Sequence, residues 1–97
     1  MPNPMPKTSR AKVKRNLLFK KTPNGTALVV NLQTGLYYTL NGTAEAIWAS
    51  IKKEKSIQQI VANIVKLFKI TPLKAEREVT RYLQKLEKEK LVTIIRK

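Results

Sequence analysis

One short stretch, residues 35–48, reading GLYYTLNGTAEAIW, constrains the fold of this chain more than any other. It changes hydrophobic period in mid-course. Leu36, Tyr37, Tyr38, Thr39 and Leu40 are apolar, aromatic or β-branched, and such residues suit a pleated, half-buried strand. Asn41 ends that run and offers a side-chain oxygen to the first free amides of a helix. From there Ala44, Ile47, Trp48 and Ile51 recur every three or four residues, the period of one helical face. A strand and a helix that meet at a single residue require a sheet packed on a helical layer.

The flanking sequence supplies both layers. Leu17, Leu18 and Phe19 open a first strand, which ends at Thr22-Pro23-Asn24-Gly25, where proline presets one turn position and Asn-Gly tolerates positive φ. A second strand over 26–32 puts Leu28, Val30 and Leu32 on one face and Ala27, Val29 and Asn31 on the other. Gln33, Thr34 and Gly35 form the next hairpin loop. The result is a three-stranded antiparallel meander whose third strand, 36–40, lies at the edge with main-chain groups unpaired on one side. Three helices follow. The first spans about 42–53. The second is opened by Ser56 with Gln59 in a capping box, and carries the stripe Ile57, Ile60, Val61, Ile64, Val65 and Phe68. The third is opened by Thr71-Pro72 and runs to about Lys90, with Ala75, Val79, Leu83 and Leu86 inward and Tyr82 at the stripe's edge. Residues 91–95 read as a last short strand or a strap. The expected class is α+β.

At 97 residues there is room for one core. The absence of cysteine removes disulfides and thiolate metal sites, and no apolar run is long enough for a membrane span or a signal peptide. A cytoplasmic protein is the expectation. Charge is the loudest property of the composition: 20 Lys and Arg against 6 acids, all glutamate, give +14. Half of this excess lies in the first 21 residues, which contain no acid. Such a balance favours an anionic partner. Residues 1–15, with Pro2, Pro4 and Pro6 among polar and basic residues, read as a flexible basic tail, leaving 16–97 as the folded domain.

Catalysis finds little support, because the chain lacks histidine, cysteine and aspartate and its glutamates are mostly interleaved with lysine and arginine. No phosphate loop or metal-ligand spacing is present, so no enzyme activity, metal or cofactor is expected. Two surfaces stand out instead. The edge strand Leu-Tyr-Tyr-Thr-Leu carries no charge to discourage pairing, so it must be covered by a guest peptide, by a second copy or by the chain's own tail. The third helix carries a basic row, Lys74, Arg77, Arg81, Lys85 and Lys88.

The run YTLN followed by Ile47-Trp48, the capped helix after Ser56, and the helix from Thr71 ending in Leu91-Val92 together resemble the PqqD-like peptide-recognition elements of ribosomal peptide biosynthesis. The likeness spans about 17–95. It implies a three-stranded sheet followed by a winged-helix-like bundle of three helices. It also implies a non-catalytic module that binds the leader segment of a precursor peptide as an added strand and presents it to a leader protease or other modifying enzyme. Carried onto this chain, the strand side of that cleft is Leu36, Tyr37, Tyr38, Thr39 and Leu40, and the helix side is Arg77, Glu78, Arg81, Tyr82 and Lys85. The chain resembles the discrete versions that serve lasso-peptide proteases or the radical enzyme of pyrroloquinoline quinone synthesis, the lasso type more than the other. The alternative from another class is a winged-helix nucleic-acid binder, suggested by the charge and the basic helix. Against it, no hairpin wing is expected after the third helix.

Overall fold

The computed structural model describes residues 6–24 and 26–96, and in it Asn41 is the point where sheet becomes helix. Its backbone is extended, with φ −84° and ψ −178°, and its side-chain oxygen accepts from the Ala44 amide at 3.1 Å. Upstream lie β2 (Leu17–Lys21), β3 (Ala27–Asn31) and β4 (Tyr37–Leu40), an antiparallel sheet in the order β2-β3-β4. Downstream lie α1 (Gly42–Lys52), α2 (Ile57–Phe68) and α3 (Pro72–Lys88). The α+β class and the meander followed by three helices are as expected. β4 starts one residue later than expected, because Leu36 belongs to the hairpin and only its carbonyl pairs, with the Asn31 amide at 2.8 Å. In the preceding turn, Thr22 and Asn24 hydrogen-bond through their side chains, and Gly25 lies outside the described residues.

Register decides which face of the sheet is covered. Val29 pairs with Tyr38, and Ala27 with Leu40. Ala27, Val29 and Leu40 are buried, whereas Leu28 and Val30 on the opposite face are only half-buried. The core joins these residues to Ile47, Trp48 and Ile51 of α1, Ile60 and Ile64 of α2, and Val79 and Leu83 of α3. Truncating the fully buried Trp48 would remove about 3–5 kcal/mol, a large share of the stability of a domain this size. Phe68 departs from the expected stripe: it is 38% exposed at the end of α2, beside Gly42.

The tail boundary needs correction. Residues 10–13 form a further strand, β1 (Arg10–Val13), paired antiparallel with β5 (Val92–Ile95) in a separate two-stranded sheet. Side-chain composition concealed this, because backbone groups hold the segment. The Ile57 and Gln58 amides, two of the orphan donors at the start of α2, donate to the carbonyls of Ser9 and Lys7 at 2.9 and 3.0 Å. Ser56 accepts from Gln59, and its own amide donates to the Gln59 side chain at 2.9 Å, completing the expected box. Ser9 and Ala11 are buried. Of the expected tail, residues 1–5 lie outside the described part. The strand after α3 therefore pairs with the other end of the chain, and among the described residues no hairpin follows α3.

Deleting residues 1–14 is expected to cost at least about 2 kcal/mol, since it orphans two α2 amides and one side of β5. That loss corresponds to a melting temperature lower by roughly 8–16 °C. An unchanged thermal melt would show that the segment carries no stability.

Candidate functional site

β4 pairs with β3 on one side and, among the described residues, with no strand on the other. The alternation of an antiparallel ladder identifies the groups left free. Asn31 donates to the Leu36 carbonyl, and in phase with that bond the hydrogen-bonded pairs of the ladder are Val29 with Tyr38 and Ala27 with Leu40. The main-chain N–H and C=O of Tyr37 and Thr39 consequently point away from β3. These two residues are exposed, Tyr37 at 66%. The open edge is real, uncharged and two donor–acceptor pairs long.

α3 forms the facing wall. Its N-cap Thr71 accepts from the Lys74 amide at 3.2 Å, Pro72 occupies the first turn, and burial of Ala75, Val79, Leu83 and Leu86 fixes its rotation. Two clefts open between strand and helix. One, of about 340 Å³, is lined by Thr39, Asn41, Thr43, Ala44 and Ile47 on the sheet and α1 side, and by Glu78, Arg81, Tyr82 and Lys85 on α3. The other, of about 290 Å³, is lined by β4 from Tyr37 to Leu40, with Tyr82, Lys85, Leu86, Glu89 and Leu91 opposite. Thr39, Tyr82 and Lys85 belong to both, so the clefts form one groove.

Eight of the ten residues expected from the sequence line this groove: Tyr37, Tyr38, Thr39, Leu40, Glu78, Arg81, Tyr82 and Lys85. Leu36 lines neither cleft, and Arg77 lies one turn further toward Thr71, in an adjoining cleft with Lys74 that shares Glu78 and Arg81 with the first. Lys88, the last member of the basic row, lines none of the clefts along α3. Sequence reasoning missed Asn41, Thr43 and Ala44, which carry the groove past the end of the strand, and Glu89 and Leu91 at its other end. Glu89 could have been found: it stands seven residues, two turns, after Tyr82 on the same helical face.

Tyr38 ties the walls together by donating from its hydroxyl to Glu89 Oε2 at 3.2 Å. Partial burial first, and the Glu89 carboxylate second, raise its phenol above the ordinary value. Tyr82 lies deeper. Its hydroxyl is buried with no hydrogen-bond partner among the described residues, and desolvation pushes its pKa up to about 12. A phenol raised in the folded state binds its proton more tightly there than in the unfolded chain. Its contribution is therefore fully present below about pH 10 and is lost as pH rises toward 12. In a tyrosinate absorbance titration of the folded protein, Tyr82→Phe is expected to remove the component that titrates near pH 12; its persistence in the variant would mean that Tyr82 is solvated.

The family profile described as coenzyme PQQ synthesis protein D (PqqD) matches residues 26–92. Among curated protein sequences there is no significant match. Two similar solved structures are TbiB1 in complex with the TbiA(beta) leader peptide and a lasso peptide synthetase B1 complexed with its leader peptide. The first has 22% identity and a TM-score of 0.77, covering 84% of this chain and 93% of that one. The second has 17% identity and a TM-score of 0.79, covering 87% and 98%. At such identities the likeness is one of fold. A family match reaching from the second strand of the meander to the start of β5 includes β4, α3 and the groove between them, and the chain belongs to the PqqD family.

Proposed function

We propose that this protein is a non-catalytic adaptor that takes the leader segment of a ribosomally made precursor peptide as an added strand against β4, and presents it to a processing enzyme. The observation that carries the proposal is the free main chain of Tyr37 and Thr39 beside a groove walled by α3. Backbone hydrogen bonds to the edge supply affinity for any extended peptide, and the side-chain clefts supply discrimination. Both similar structures hold leader peptides, which supports the same assignment here. The lasso peptide synthetase B1 among them favours a lasso-type pathway, and a leader protease is the enzyme partner we propose. The ten residues named from the sequence are the proposed contact set, with Leu36 and Arg77 at its margins and Asn41, Thr43 and Glu89 added to it.

The test is titration of a labelled leader peptide, taken from the precursor encoded beside this gene, with wild type and two variants. Thr39→Pro removes an outward-facing amide without breaking a ladder bond to β3, and Arg81→Glu reverses charge on the helix wall. Saturable binding weakened at least tenfold by each, about 1.4 kcal/mol, is the expected outcome. Absence of saturable binding, or affinity indifferent to both changes, would remove the adaptor assignment. A concentration-dependent dimer lost in Thr39→Pro would show instead that a second copy closes the edge.

A further inference from the structure

The groove is not uniform in charge along its length. At the end bounded by Tyr37 and Leu91, the only charged residues are Lys85 and Glu89, which cancel. At the Asn41 end, Arg81 and Lys85 face Glu78, leaving +1. One turn further toward Thr71, a third cleft has Lys74, Arg77 and Arg81 against Glu78, leaving +2, and the same two arginines also border a neighbouring cleft that carries Glu76, where they leave +1. The clefts are contiguous, since Tyr82 and Lys85 join the first pair and Glu78 and Arg81 the second. None of the four cations makes an ion pair among the described residues; the ion pairs there are Lys21 with Glu45 and Arg96 with Glu87. The sheet side offers no counter-charge, only the neutral hydrogen-bonding groups of Thr39, Asn41 and Thr43. Lys88, in the same row, lines no cleft along α3 and marks what a merely solvated member of the row looks like.

The spacing of these charges suits an extended guest that pairs with β4 and runs on past its end along α3, where the Arg77 cleft has no sheet residue in its lining. Two residues of strand advance about 6.8 Å, and four residues of helix about 6 Å, so a guest running along α3 would bring alternate side chains to successive turns. We infer that the groove selects an acidic peptide of defined pattern: an apolar side chain against Tyr38, Leu86 and Leu91, then carboxylates at the second and fourth residues from it, opposite Arg81 and Arg77. This inference rests on the strand-accepting role of β4 and assigns the guest its chemistry. Exposed cations and carboxylates so placed attract most strongly at low ionic strength, where screening is weak.

The experiment pans a random ten-residue peptide library, displayed on phage, against the full chain. Recovered sequences are then made as fluorescein-labelled peptides and measured by anisotropy. Four proteins are compared: wild type, Arg77→Gln with Arg81→Gln, Lys12→Gln with Lys14→Gln, and Thr39→Pro, with Tyr37→Pro in reserve should Thr39→Pro fail to fold by circular dichroism. The expected result is enrichment of acids at alternate positions beside one apolar residue. Binding should fall at least tenfold in the Arg77/Arg81 variant and in Thr39→Pro, and hold in the Lys12/Lys14 variant. Replacing the peptide's acids by Gln should weaken binding to wild type but not to the Arg77/Arg81 variant. Peptides that need the open edge but show no acidic pattern would overturn the inference and leave the adaptor role standing. Acidic peptides indifferent to Thr39→Pro, or equally weakened by the Lys12/Lys14 change, would reduce the effect to general attraction by a +14 protein and overturn it. Recovery of no peptide sensitive to either proline variant would overturn both.

Discussion

Every main-chain donor and acceptor in a protein must find a partner or face water, and along the outer edge of β4 no strand of the described residues meets that requirement. Three strands give the sheet two borders. The border at β2 ends in Lys20 and Lys21, charges that discourage pairing, whereas the border at β4 is uncharged and lined by a helix that stands off it. The distance of α3 from β4 has two sources. It follows from the burial of Ala75, Val79, Leu83 and Leu86, and from one hydrogen bond between Tyr38 and Glu89. A gap framed by a buried helix face and a cross-wall hydrogen bond is formed before anything fills it, which lowers the cost of ordering on binding.

The surrounding polar contacts hold this frame together. Arg96 donates two hydrogen bonds to Glu87, at 2.9 and 3.0 Å, fastening β5 to the last turns of α3; this pairing lowers the Glu87 carboxyl below its ordinary value. Lys21 meets Glu45 at 3.0 Å, linking β2 to the first turn of α1, and the Lys52 ammonium lies 5.2 Å from the Phe19 ring on the same flank. These contacts are partly exposed and individually weak. Their common effect is orientation of helices against the sheet, and they engage two of the six glutamates, Glu45 and Glu87.

Most of the architecture was legible because local signals agreed with one another. Asn41, Ser56 and Thr71 each cap the helix they were expected to start, and the buried positions of α3 are the four its period indicated. The groove was legible to the extent that it lies on those two elements. What escaped was whatever depended on backbone rather than side-chain type. β1 looks like a solvated arm by composition, and is held by carbonyls that cap α2 and by pairing to β5. Asn41 was understood as a cap residue, and its second role as groove lining, together with Thr43, needed the packing of α1 beside β4. Leu36 was placed in the strand because its side chain suits one, although hairpin geometry with Gly35 at φ +79° ends the ladder before it.

The pairing of Arg10 with Ile95 has a topological consequence. Residues 85 positions apart in sequence become cross-strand neighbours, with α-carbons about 5 Å from each other. The backbone from Arg10 to Ile95 is thereby almost a closed ring, in which the segment that enters β1 and the segment that leaves β5 pass side by side.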